Sequence, residues 1–170
     1  RIRCVERARR QRRRVARHMQ IAHELNPHSA DVLMHVALVR ANLGETKAGI
    51  SLASEAVNLN PLYPDWYLYM QSTIYMLAGD YDQALSSGLG VAQQFLELPA
   101  WLAVAAAMKG DQDTASRMGA LFQTRIQKAW KGEHPATKRD AVEWFISVNR
   151  WLEGRERELT MNGLTKSGLL

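Results

Sequence analysis

One cysteine, Cys4, in 170 residues leaves no internal disulfide to draw, so a disulfide-stapled secreted scaffold is excluded and a reducing, cytoplasmic setting is expected. Nothing at the N-terminus reads as a secretory signal. No apolar run approaches the roughly 20 residues that cross a bilayer, so no membrane insertion is expected. Nucleotide cradles are missing too, because there is no Gly-x-x-x-x-Gly-Lys-Ser/Thr and Gly88-Leu89-Gly90 follows no strand pattern. His18, His23, His28, His35 and His134 form no His-Glu-x-x-His pair, and the ligand series of a calcium loop does not continue beyond Asp80-x-Asp82. The sequence therefore offers no catalytic, cofactor-binding or metal-binding residue, and the chain itself is expected not to be an enzyme.

Positive charge is abundant, and it is concentrated at one end. The net charge is +5, yet residues 1–17 hold nine arginines against Glu6, a balance of +8. The remaining residues carry 13 basic and 16 acidic side chains, a balance of −3. The basic run Arg9, Arg10, Arg12, Arg13 and Arg14 contains no aromatic residue and no base-reading motif. It has two readings: a solvated helix face or linker, or an electrostatic contact with nucleic acid or another acidic partner.

Apolar spacing and helix punctuation organise the rest. Val15, Met19, Ala22 and Leu25 recur at intervals of three and four and predict a helix that Asn26-Pro27 ends. Ser29 or Asp31 then offers an N-cap for a helix over 32–43, which glycine at 44 terminates. A return helix with Gly49, Leu52, Ala53, Ala56, Val57 and Leu59 as its apolar or small face closes at Asn60-Pro61. The same grammar recurs: Pro27 to Pro61 is 34 residues, Gly44 to Gly79 is 35 and Gly79 to Gly110 is 31. A period near 34 built of helix pairs predicts a stacked array, since one hairpin cannot bury its own apolar face.

Leu43-Gly44, Gly49, Ala56 and Pro61 in one unit, with Tyr75, Gly79-Asp80-Tyr81-Asp82 and Ala84 in the next, resemble the tetratricopeptide repeat family. The resemblance implies an all-α, right-handed superhelical solenoid of about three to four antiparallel hairpins with C-terminal capping helices. Its divisions would be a half repeat at 10–27, units at 28–61, 62–96 and 97–131, and a helical cap at 132–170. Within the unit at 62–96, Gly88 and Gly90 signal either close packing of a neighbour or a break. A last long helix is expected over 136–152, followed by a short one over 155–170.

The tail from Glu156 to Leu169 is similar to the closing stretch of bacterial regulatory proteins that carry such repeats behind a class III adenylate or guanylate cyclase domain or a winged-helix domain. This implies the interaction end of a longer signalling protein, and a chain opening on arginine within a half repeat agrees with that.

In tetratricopeptide arrays the first helix of each hairpin lines the concave side. The resemblance thus selects His35 and Asn42, with Met34 and Leu38, then Trp66, Tyr69, Met70 and Thr73, then Trp101 and Val104, as a groove for a protein or peptide partner. Aromatic and methionine side chains suit an apolar ligand. Trp66 and Tyr69 could equally pack between hairpins. A carboxylate clamp is not expected, because Met34, Leu38, Met70, Glu97 and Trp101 stand where its basic and amide groups would be.

Overall fold

The computed structural model describes the backbone of residues 2–150 and 152–170, and the side chains of 13–150 and 152–170. Among the described residues the chain is helical throughout, with no strand. The helices are α1 (Ile2–Leu25), α2 (Ala30–Asn42), α3 (Thr46–Leu59), α4 (Asp65–Ala78), α5 (Tyr81–Leu89), α6 (Leu98–Lys109), α7 (Gln112–Ala129), α8 (Lys138–Val148) and α9 (Gly154–Lys166).

Local chemistry sets these boundaries. The Ser29 hydroxyl accepts the Val32 N–H at 3.3 Å, so Ser29, not Asp31, caps α2. The hairpin glycines at 44, 79 and 110 have φ of +89°, +85° and +93°, which any L side chain would resist. After two of these turns an aspartate starts the return helix: Asp80 accepts the Gln83 N–H at 3.2 Å, and Asp111 accepts the Thr114 N–H at 3.0 Å. Asp82 instead pairs with Lys109, so the Asp80-x-Asp82 segment is a capped turn bridged to the next hairpin. Pro99 takes the second position of α6, where its missing N–H removes no bond within the helix.

Three hairpins result, α2/α3, α4/α5 and α6/α7, and each packs on the next in chain order. Each second helix touches the following first helix, and the first helices touch one another. Small residues set the approach: a Cβ on Gly49 would sit 2.8 Å from the Ala37 carbonyl oxygen and 3.1 Å from the Ala41 Cβ. Gly88 shows both behaviours the sequence left open. A Cβ there would lie 2.5 Å from Leu102 Cδ2 and 2.6 Å from Ser72 Oγ, and α5 also ends one residue later at Leu89.

The core runs continuously through the hairpins. Tyr67, Ile74, Trp101, Val104, Phe122 and Phe145 are almost wholly buried. α8 docks beside α7, where Phe145 meets Trp101 edge-on at 4.9 Å and Phe122 at 5.9 Å. This helix stops at Val148, earlier than the expected 152, and Asn149 turns its amide onto the Phe145 carbonyl at 3.0 Å. Trp151, expected on the same helix, lies outside the described residues.

α9 does more than extend the stack. It packs across α6 and reaches α4. Gly163 lies so close to Val104 that a Cβ would clash with it, and Glu156 places Oε1 3.2 Å from where a Cβ on Gly44 would be. Just beyond α9, Leu169 covers Gly119 of α7. One helix therefore touches all three hairpins.

Candidate partner-binding face

Two proline-started turns bring α2 and α4 side by side with their N-terminal halves in register. Asp31, in the first turn of α2, accepts the Tyr67 hydroxyl at 2.6 Å, which ties the second hairpin to the first. Burial, reinforced by the Asp31 carboxylate, pushes the Tyr67 phenol up to about 12. The His35 ring bonds through Nδ1 to the Asp31 carbonyl at 2.7 Å, which assigns the proton to Nδ1. That orientation lays the imidazole against Trp66, with ring centroids 5.0 Å apart. Trp66 in turn meets Tyr67 edge-on at 4.2 Å, and Tyr63 stacks on Tyr67 at 5.6 Å.

A second aromatic contact continues along α4. Tyr69 stacks on Phe95 at 4.7 Å and donates its hydroxyl to Glu97 Oε2 at 3.2 Å. Asn149 shares the same carboxylate oxygen at 3.3 Å. Burial first, and then the Glu97 charge, raise the Tyr69 phenol well above its ordinary range. The segment carrying Phe95 is held in place at two points. Asp65 accepts the Ala92 and Gln93 N–H groups at 2.8 Å each, and Arg125 donates to the Phe95 carbonyl at 2.8 Å.

The groove residues read from the sequence divide into two sets. His35 is exposed, and Trp66, Tyr69 and Met70 are half-buried, so each keeps part of its side chain at the surface of α2 or α4. Asn42, Thr73 and Trp101 belong to the interior, at 9%, 3% and 1% exposure. Met34 and Val104 are closed off completely, while Leu38 is half-buried. The cause is plain for Trp101 and Val104: α8 supplies Phe145 against the indole, and α9 supplies Gly163 against the valine. Thr73 uses its hydroxyl on the Tyr69 carbonyl of its own helix at 3.2 Å.

Sequence reasoning passed over Tyr63, Phe95 and the Asp31–Tyr67 bond. The last of these had a signal, since Asp31 and Tyr67 stand 36 residues apart, close to one repeat. In the basic run, Arg13 and Arg14 are exposed on α1, and the side chains of Arg9, Arg10 and Arg12 lie outside the described residues. Among the described residues no group of three or more His, Cys, Asp or Glu side chains could hold a metal ion. No helix among them is long and apolar enough to cross a membrane. Comparison with known proteins finds no matching family model and no matching curated protein.

Proposed function

We propose that this chain is a non-catalytic, tetratricopeptide-type interaction module, a right-handed solenoid that acts in the cytoplasm within a larger bacterial signalling protein. Its ligand is a peptide or partner domain bound on the His35–Trp66–Tyr69–Met70 face. One observation carries the reading: His35, Trp66 and Tyr69 are oriented by hydrogen bonds and ring contacts, that between His35 and Trp66 running from one hairpin to the next, and these three with Met70 keep part of their surface accessible. Trp66 holds the centre, and half-buried aromatic residues of this kind anchor apolar ligands. The parent's enzymatic class, with a class III adenylate cyclase as the first candidate, lies with other segments.

Peptides selected by phage display against the chain supply the test. Trp66→Ala is expected to weaken their binding by about tenfold or more, with the melting temperature little changed. Binding that survives the substitution, or a collapse in stability, would make Trp66 a packing residue. A second reading is favoured by the exposed Arg13 and Arg14: α1 contacts nucleic acid or another acidic partner electrostatically.

A further inference from the structure

The two helices that follow the hairpins are attached by different means. α8 is fixed by Phe145 against Trp101 and Phe122, by Trp144 beside Phe122, and by the Asn149 amide at its end, which bonds to Glu97. Among the described residues, no side chain of α9 makes a hydrogen bond or an ion pair with a hairpin. Its Thr160 and Thr165 hydroxyls turn back to the Glu156 and Met161 carbonyls, at 2.8 and 3.1 Å. Of the four residues that α9 buries, Glu156, Thr160, Gly163 and Leu164, only the last is a large apolar side chain. Glu156 is 8% exposed, and its carboxylate meets no donor and no basic side chain among the described residues. Burial of an unpaired carboxylate opposes docking. Yet α9 occupies the side on which first helices meet, since it packs on α6 and α4 and reaches the turn that ends α2. The approach is close: a Cβ on Gly163 would lie 3.1 Å from Val104 Cβ and 3.3 Å from Val104 Cα.

We propose that α9 is a built-in, releasable occupant of the first-helix side, an autoinhibitory helix whose place an amphipathic helix of a partner takes. The docked helix specifies that partner: a glycine opposite Val104 and a leucine directly after it, on a helix whose other faces are polar. Few contacts suffice to hold α9, because a tethered segment competes at an effective concentration of about millimolar. Its release uncovers Val104 but leaves α8 on Trp101, so the hairpins keep their core. The surface is separate from the His35, Trp66, Tyr69 and Met70 side chains, which are accessible with α9 in place, and the proposal does not rest on them.

The test uses the full chain and a labelled synthetic peptide of residues 152–170. Hydrogen exchange of the unaltered chain, read by mass spectrometry, is expected to show the α9 amides exchanging about tenfold or more faster than those of α4 and α6. Glu156→Gln keeps the shape and removes the charge, so it should slow α9 exchange severalfold and leave α4 and α6 unchanged. Gly163→Leu expels α9. That chain should bind the peptide about tenfold or more tightly than the unaltered chain, which fills the surface itself. A peptide that itself carries Gly163→Leu should bind neither. The proposal is overturned if α9 and α6 exchange together in the unaltered chain, if Glu156→Gln leaves α9 exchange as it was, or if both chains take up the peptide equally. Where Gly163→Leu also unfolds the hairpins, the two exchange measurements decide alone.

Discussion

Two tryptophans read alike in the sequence and have different surroundings. Trp66 keeps an accessible side against His35, whereas Trp101 is enclosed by α8. Trp101→Ala should lower stability by about 3–5 kcal/mol, the range for a large core aromatic; chemical denaturation would measure the difference from Trp66→Ala. The spacing of first helices could not separate them, because it says which side of a helix a residue takes and not what later chain arrives there. Tyr67 carries a pH prediction. Its folded pKa of about 12 lies above the ordinary tyrosine value of 10.0, so the neutral phenol is favoured by folding. That stability is fully present below pH 10.0 and is lost as pH rises through about 12. Tyr67→Phe should therefore lower stability at neutral pH and flatten the alkaline loss, as read by denaturant midpoints across that window.

Helix by helix, the array was legible wherever punctuation is local. The glycines at 44, 79 and 110 and the prolines at 27 and 61 determine turns through φ and a missing N–H, and these need no tertiary information. α8 shows the same economy. Thr137 and Asp140 exchange bonds in a capping box, with the Asp140 N–H to Thr137 Oγ1 at 3.2 Å and the Thr137 N–H to Asp140 Oδ2 at 2.8 Å. These bonds, the Thr137 side chain first, hold the Asp140 carboxyl below its ordinary range. The contribution is present above the ordinary carboxylate pKa and disappears as pH falls through the lowered folded value. Thr137→Ala should return Asp140 toward its ordinary titration in a carboxyl NMR experiment and lower the melting temperature by a few degrees. The route of α9 was not legible. Its Leu159 and Leu164 mark an apolar side without naming the helices that receive it, and the close approach of Gly163 to Val104 is seen only in the fold.

For the molecule as a whole, α9 joins what the hairpins would otherwise share only with adjacent units. Stability in a linear stack is a sum of unit and nearest-neighbour terms. A helix that touches Gly44, α4 and α6 adds coupling between ends. Removal of residues 154–170 should therefore expose Val104, increase binding of an apolar dye and broaden thermal unfolding. A sharp, unshifted transition would show that α9 adds little to the array.

The contact between Glu156 and the Gly44 turn also has a bearing on time. Its partners are 112 positions apart along the chain, far beyond the separations within any hairpin. Local hairpins can close early, while contacts of long sequence separation form late. During synthesis α9 follows the hairpins out of the ribosome, so the array spends an interval with its α6 surface uncovered. In that interval a nascent chain presents the surface on which α9 will later rest, and the pace of translation sets how long other molecules can reach it.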